Sequence, residues 1–137
     1  MTSESINNVR NDQFAKYLGI EILEAGDGYA VTELVLNANH LNGVGRVQGG
    51  VIFTLADYAF AVAANSDGCP TVGMNVNITY FKAPTGKKIR AEAKEITKQK
   101  RISGYQVSVF DEDGSLVASF SGLGYRKSNE VFVQSDS

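Results

Sequence analysis

The sequence has one cysteine, one histidine, no tryptophan and no long apolar run among its 137 residues. The lone cysteine, Cys69, is expected to be a packed thiol; it excludes an internal disulfide and fits a reducing compartment. One histidine and one cysteine are too few for a zinc site. The longest apolar run, residues 59–64, is far shorter than the ~20 residues of a membrane helix. We therefore expect a cytoplasmic protein with no membrane span, no metal and no resident cofactor.

The polar N-terminus, MTSESINNVR, contains no apolar signal-peptide segment. The net charge is −2, and the first eleven residues hold a single arginine, which disfavours a nucleic-acid-binding protein. Eight of the thirteen basic residues lie within residues 82–101, together with only two acids. Such a basic segment is either a solvated face of a sheet or a binding site for phosphate groups.

Apolar residues make up 43% of the chain and charged residues 20%, as is typical of a globular domain. The length suits one domain with a substantial core. We predict a single domain over residues 1–137, with its core at about residues 13–127 and flexible termini. The flexible termini are a frayed segment up to residue 11 and a disordered tail from Lys127.

Hydrophobic periodicity predicts one long helix, one short helix and about six strands. The short helix covers residues 12–18, and Gly19 ends it. The predicted strands are residues 19–24, 29–36, 71–81, 87–98, 102–110 and 116–126. Short turns join the last four strands, which predicts an antiparallel meander with the long helix across one face. In the third strand, one face is expected to carry Val72, Met74, Val76, Ile78 and Tyr80. Free sheet edges predict pairing into a dimer.

The stretch from residue 40 to residue 65 organises the chain. It begins with a glycine-rich loop and continues into the apolar run VIFTLADYAFAVAA, whose only polar side chains are those of Thr54, Asp57 and Tyr58. The first N–H groups of a helix have no partner within it, so a helix that starts near Gly49 and Gly50 presents free donors. The glycine pair could also serve only tight packing.

Asp57 lies in the middle of this apolar helix, where an ionised carboxylate is costly unless it is paired or faces a cleft. It is either a structural residue bonded to a neighbouring strand or a functional group. Asp57 follows Gly50 by seven residues, about 10 Å along a helix axis. Catalytic contacts act at about 3 Å, so one reacting group cannot touch both residues in one chain. If both serve one site, two chains build it, and we predict a homodimer with shared sites.

An ordered set of motifs resembles the hotdog-fold acyl-CoA thioesterases of the PaaI-like (phenylacetic acid degradation) type over about residues 13–127. The motifs are Leu41-Asn42-Gly43, Gly49-Gly50, Leu55-Ala56-Asp57 and Asn77-Ile78-Thr79-Tyr80-Phe81-Lys82-Ala83-Pro84. The resemblance implies an α+β hotdog fold, in which a curved antiparallel sheet of about six strands wraps one long buried helix. It also implies a homotetramer built as a dimer of dimers.

The resemblance implies that Asn42, Gly49 and Asp57 are catalytic, with the Gly49 N–H as the oxyanion donor. Asn42 could also be merely a turn residue, which is the commoner use of an Asn-Gly pair. Gln48 stands where the family usually has histidine; glutamine can donate a hydrogen bond to a carbonyl but cannot carry charge. Gly73 stands where some relatives carry a hydroxyl residue. Residues that could replace that hydroxyl are Thr54, Tyr58 and Asn75.

The implied reaction is hydrolysis of the thioester of an aromatic or medium-chain acyl-CoA, with Phe53, Tyr58 and Phe60 as the acyl lining. A thioester needs a polarised carbonyl and a carboxylate nucleophile or base, and it needs no metal. Coenzyme A is then part of the substrate. Its candidate contacts are Gly50, Lys82, Lys100, Arg101 and Ser103.

A non-catalytic acyl-CoA binding or sensing protein of the same fold is the alternative, and Gln48 favours it. A dehydratase would need a catalytic histidine near the helix, which Gln48 replaces. His40 lies outside the matched positions and is expected to be a loop or cap residue.

Overall fold

The structure, a computed structural model, describes residues 7–127. Its helices are α1 (Gln13–Leu18) and α2 (Gly49–Ala64), and a short 3-10 helix spans Ala38–His40. Its strands are β1 (Glu21–Gly26), β2 (Tyr29–Val35), β3 (Thr71–Tyr80), β4 (Lys88–Lys98), β5 (Ile102–Asp111) and β6 (Leu116–Arg126). Both predicted helices and all six predicted strands are confirmed, with small shifts at their ends. The predicted flexibility of residues 1–6 and 128–137 lies outside the described residues.

The six strands form one antiparallel sheet in the order β1-β2-β4-β5-β6-β3. The predicted meander of the last four strands is therefore wrong in one respect. β4, β5 and β6 do form a meander, but β3 pairs with β6 and β2 pairs with β4. The reason is that α2 carries the chain from β2 across the face of the sheet to its far edge. β4 is then free to return beside β2.

Helix α2 is the core of the fold, as the apolar pattern predicts. Ten of its sixteen residues are buried, and it packs on β2, β4 and β5. The Phe60 ring of α2 contacts the rings of Tyr105 on β5 and Phe120 on β6, at centroid distances of 5.6 Å and 5.9 Å. Aromatic pairs at these distances add about 0.5–1.5 kcal/mol each to the burial of their area. The α+β hotdog architecture expected from the resemblance is confirmed.

The N-terminal segment is more ordered than predicted. Residues 7–10 are helical, so the expected frayed tail up to residue 11 is wrong for this part. The Tyr58 hydroxyl donates a hydrogen bond to the Val9 carbonyl at 2.9 Å, which fastens the segment to α2. α1 follows as predicted: the Asp12 carboxylate caps it by accepting from the Ala15 N–H at 2.9 Å, and Gly19 ends it with φ 95°.

β3 is an edge strand with an apolar surface. Its side chains of Val72, Met74 and Val76 are 48%, 55% and 37% exposed. A bulge between Gly73 and Asn75 corrects the prediction that all its apolar residues share one face. Val72 pairs with Tyr125 and lies on the outer face, whereas Ile78 pairs with Phe120 on the helix side. Among residues 7–127, no helix has the length and apolarity needed to cross a membrane.

Candidate active site

The loop from residue 41 to residue 48 carries Asn42 and leads into α2. Leu41 and Val47 form an antiparallel bridge, and the Asn42 N–H donates to the Arg46 carbonyl at 2.7 Å. The Asn42 side-chain oxygen accepts from the N–H groups of Val44 and Arg46 at 3.0 Å and 3.1 Å. Asn42 is thus a turn residue, and its side-chain NH2 has no hydrogen-bond partner among residues 7–127. This NH2 group can still donate to a ligand.

Gln48 is the N-cap of α2, and its side-chain oxygen accepts from the Gly50 N–H. A Cβ on Gly50 would lie 2.8 Å from that oxygen, so a larger residue there would shift the Gln48 side chain. The Gly49 carbonyl accepts from the Tyr80 hydroxyl at 3.0 Å. Within the described residues the Gly49 N–H has no acceptor. The glycine pair therefore serves packing and also leaves one donor free, at the positive end of the helix dipole.

Asp57 is half-buried and has no hydrogen bond or ion pair within residues 7–127. Burial raises the pKa of this carboxyl group, and the nearby charge of Asp12 raises it further. These observations do not support a structural bond to a neighbouring strand. An unpaired carboxylate of raised pKa at a cleft is the arrangement expected of a functional acid or base.

Asp57 faces a pocket of about 380 Å³ between α2 and the edge strand β3. Phe53, Phe60 and Ala61 lie on the same face of α2 and line the pocket with it. The β3 side is formed by Thr71, Gly73, Met74, Asn75 and Val76. The pocket thus combines an apolar lining with one carboxylate, which is typical of small-molecule sites.

Gly73 leaves room for the Phe60 ring. A Cβ at Gly73 would lie 3.1 Å from the Phe60 ring, and one at Gly122 would lie 3.0 Å from it. The ring is held between two glycines of neighbouring strands. The missing hydroxyl at position 73 therefore has a packing reason, since a serine there would have to displace Phe60.

The three residues that could replace this hydroxyl differ in their placement. Thr54 donates its hydroxyl to the Gly50 carbonyl at 2.7 Å, within its own helix. Tyr58 is bonded to Val9 and does not line the pocket. Asn75 borders the pocket, but it pairs with Leu123 on the outer face of the sheet, so its side chain points away from Asp57. None of the three therefore offers a free polar side chain on the Asp57 side of β3.

The candidate phosphate contacts are not brought together within one chain. Lys82 lies 3.4 Å from the Asp111 carboxylate and donates to Ser115. Lys100 and Arg101 are exposed in the turn between β4 and β5, whereas Ser103 is fully buried. The strand pairing places Lys82 and this turn at opposite ends of the sheet, roughly 30 Å apart at 3.3 Å per residue.

A second pocket, of about 570 Å³, lies beside the loop that carries Asn42. Arg46 on one side and Lys87 on the other give it two cations. The sequence pattern did not single out Arg46, a lone cation in the glycine-rich loop. It also missed the contact of Tyr80 with Gly49, although Tyr80 belongs to one of the motifs. Local sequence pattern indicates neither feature, because Arg46 belongs to none of the motifs and Tyr80 lies 31 residues after Gly49.

Comparison with known proteins gives a consistent result. The family model described as the thioesterase superfamily matches residues 44–118, more than half of the chain. A relative from Archaeoglobus fulgidus, provisionally named an esterase, is 41% identical over 124 residues, which are 90% of this chain and 80% of that protein. The acyl-coenzyme A thioesterase PaaI of Escherichia coli is 34% identical over 117 residues, with 85% and 84% covered.

Solved structures agree with these relatives. The structure of the E. coli PaaI protein from the phenylacetic acid degradation operon is similar with a TM-score of 0.86 and 30% identity, over 93% of this chain and 94% of that one. The hotdog architecture, the matched family model and relatives above 30% identity all lead to one assignment. The chain belongs to the thioesterase superfamily, as a PaaI-like thioester hydrolase of the hotdog fold.

Proposed function

We propose that this protein hydrolyses the thioester bond of an aromatic or medium-chain acyl-CoA. The observation that carries the proposal is the unpaired carboxylate of Asp57 in an apolar pocket. The relative named acyl-coenzyme A thioesterase PaaI supports the substrate class, as does human acyl-coenzyme A thioesterase 13 at 28% identity. Phe53 and Phe60 give the pocket the lining that an apolar acyl group requires.

In the proposed reaction the thioester carbonyl oxygen accepts a hydrogen bond from the Gly49 N–H. This N–H stabilises the negative charge that develops on that oxygen. Asp57, as general base, takes a proton from water while the water oxygen adds to the carbonyl carbon. The C–S bond then breaks, the sulfur leaves with a proton, and the acid is released. Asp57 as a direct nucleophile gives the same products through an anhydride that water opens.

The raised pKa of Asp57 suits it to this task, because a carboxylate of higher pKa is a stronger base. The free NH2 groups of Asn42 and Gln48 are further donors in the loop that leads into α2. The reaction uses residues of the chain and water, and needs no cofactor.

We further propose that the site is shared between two chains. Gly49 and Asp57 are eight residues apart on one helix, or about 12 Å along its axis. The pocket at Asp57 borders the edge strand β3, whose exposed apolar side chains and free backbone edge suit pairing with a second copy. Two-fold pairing at β3 runs two α2 helices past each other. Asp57 of one protomer then meets the partner's Gly49.

The dimer also bears on recognition of coenzyme A. Lys82 and the turn at Lys100 and Arg101 lie at opposite ends of one sheet, so they contact one coenzyme A only if different protomers supply them. Association of two dimers and a cytoplasmic location complete the proposal. The lone Cys69 supports the location, because it fits a reducing compartment.

A non-catalytic acyl-CoA binding protein remains the second candidate. The observation that favours it is that the Gln48 oxygen caps the Gly50 N–H and that glutamine offers no acidic proton. The two functions differ in whether bound acyl-CoA is turned over.

One experiment separates them. A panel of aromatic, short-chain and medium-chain acyl-CoAs is incubated with the protein, and the released thiol is measured. We expect turnover by the wild type and a loss of at least about 100-fold in kcat for Asp57→Ala, with the fold kept. Asp113→Asn, on an exposed turn, is the matched control. Binding of acyl-CoA without thiol release would support the second candidate, and wild-type turnover by Asp57→Ala would exclude Asp57 from the reaction.

The shared site has its own test, in which Asp57→Ala and Gly49→Val chains are mixed after dissociation. Each parent has no complete site, but each mixed dimer has one, so about a quarter of the wild-type sites should be restored. Exchange is verified by mass. If exchange is complete and no activity returns, Gly49 and Asp57 do not meet across two chains.

A further inference from the structure

The only histidine of the chain, His40, is 2% exposed and both of its ring nitrogens are hydrogen-bonded. Its Nδ1 accepts from the Asn37 N–H at 3.0 Å, which closes a capping box at the 3-10 helix. Its Nε2 donates to the Leu18 carbonyl at 2.9 Å, at the end of α1. The sequence expectation that His40 is a cap residue is confirmed. The bond to Leu18 goes beyond a cap, because it joins residues 22 positions apart.

The backbone of His40 leads directly to the candidate site. Its carbonyl accepts from the Gln48 N–H at 2.9 Å, immediately before α2 begins. The bridge between Leu41 and Val47 follows on the inner side of the same loop, with Asn42 at the next position. The chain therefore leaves His40 and returns to it within eight residues. Every donor assigned to the thioester carbonyl lies in this closed loop or next to it.

Two other anchors hold the helix end of the loop: Val47 is 8% exposed and belongs to the core, and the Tyr80 hydroxyl bonds the Gly49 carbonyl. The rest of the loop has few anchors. The side chains of Val44 and Leu41 are 80% and 43% exposed, so burial holds its tip weakly. Its other bonds, those of Asn42 with Val44 and Arg46, lie within the loop and cannot fix it to the rest of the molecule. The imidazole of His40, by contrast, is a rigid buried group bonded to α1.

We propose that His40 is a positioning residue, which holds the loop from Asn42 to Gln48, and with it the side-chain donors of these two residues, in place against α1. This inference rests on the proposed hydrolysis of acyl-CoA. His40 itself touches no substrate. An error of about 1 Å in the position of a donor matters most in the transition state, where the charge on the oxygen is greatest. Loss of the anchor should therefore lower kcat and leave KM nearly unchanged.

Three substitutions of His40 test the two hydrogen bonds of the imidazole. His40→Leu keeps much of the volume and removes both bonds. His40→Asn retains an acceptor near the position of Nδ1, and His40→Gln retains a donor near that of Nε2. Ser66→Ala is the matched control, because the Ser66 hydroxyl also makes two bonds, to the Ala63 carbonyl at 2.7 Å and from the Gly28 N–H at 2.8 Å. Those bonds lie at the opposite end of α2.

For each variant, kcat and KM are measured on the acyl-CoA that the wild type prefers, together with the urea midpoint and hydrogen exchange of residues 41–50. We expect His40→Leu to lower kcat by about 10-fold or more, with KM within about twofold, and to speed exchange in the loop. His40→Asn and His40→Gln should each recover part of kcat. Ser66→Ala should lower the urea midpoint without changing kcat or the exchange of this loop.

Two results would overturn the proposal. The first is unchanged loop exchange in His40→Leu. The second is a loss of kcat that follows the urea midpoint equally in His40→Leu and Ser66→Ala. Failure of the proposed function looks different, since the wild type would then release no thiol from any acyl-CoA. Hydrogen exchange would in that case still decide whether His40 anchors the loop.

Discussion

Replacement of Asp57 by asparagine measures how much the buried carboxylate lowers the stability of the fold, apart from its proposed role in catalysis. Asparagine has nearly the same shape, so packing against Phe53 and Phe60 is kept while the charge is lost. Burial raises the pKa of Asp57 above its value in the unfolded chain, and Asp12 adds to the shift. Each unit of such a shift corresponds to about 1.4 kcal/mol of folding free energy. Because the pocket admits solvent, we expect Asp57→Asn to raise the free energy of unfolding at neutral pH by only about 0.5–1 kcal/mol.

The sign of the pH dependence follows from the direction of the shift. A group with a raised pKa binds its proton more tightly in the folded state than in the unfolded state. Wild-type stability therefore falls as pH rises from the unfolded pKa of about 3.9 through the folded pKa of Asp57. Above the folded pKa the penalty is fully present. The advantage of asparagine should be complete there and should vanish at the acid end.

Urea denaturation of both proteins from about pH 3 to about pH 8, at one fixed protomer concentration, measures this difference. Asp67→Asn is the control of opposite sign. Burial raises the pKa of Asp67, but the hydrogen bond from Cys69 and the charges of Arg126 and Lys98 outweigh it and lower the pKa. Asp67→Asn should thus destabilise at neutral pH. An Asp57→Asn protein that is less stable than wild type, by the same amount at every pH, would refute a costly unpaired charge at this position.

Two further substitutions test the departures from the family pattern. Gln48→His should introduce a titration near neutral pH into kcat/KM, because imidazole can carry a proton beside the thioester carbonyl; an unchanged pH profile would show that this side chain does not contact it. Gly73→Ser should lower the free energy of unfolding by about 1–2 kcal/mol, because the added Cβ crowds Phe60. Gly43→Ser is its control, since a Cβ there meets no atom within 4 Å. Equal urea midpoints for the two serine variants would mean that Phe60 does not limit position 73.

Local pattern was sufficient to predict the elements of the fold but not the position of β3 in the sheet. Alternation shows that residues 71–81 form a strand, yet it carries no information on which strand pairs with it. The helix α2 decides this, because it spans the sheet before β3 begins. The bulge at Gly73 could not be predicted either. Its extra residue reverses the alternation of faces, but it is recognised only when the pairing of β3 with β6 is known. Val72 was assigned to the wrong face for this reason.

The sequence predicted those site residues whose type is unusual for the local structure around them. Asp57 in an apolar helix and paired glycines before it both break a local rule, and sequence alone identifies both. Lys82 and Arg101 break no rule, and their separation to opposite ends of the sheet required the strand pairing. The order in residues 7–10 also depends on a distant contact, the bond from Tyr58 to Val9.

The two departures from the family pattern share a physical explanation. Gln48 accepts from the Gly50 N–H, so this donor is lost to a substrate and only the Gly49 N–H remains free. Gly73 provides no hydroxyl, because Phe60 occupies the space that a side chain would need. Both changes remove polar groups from the proposed reaction and leave the essential pair, one donor and one carboxylate. Because fewer groups stabilise the transition state, an error in the position of any one of them lowers the rate more. We therefore expect an anchor such as His40 to affect kcat.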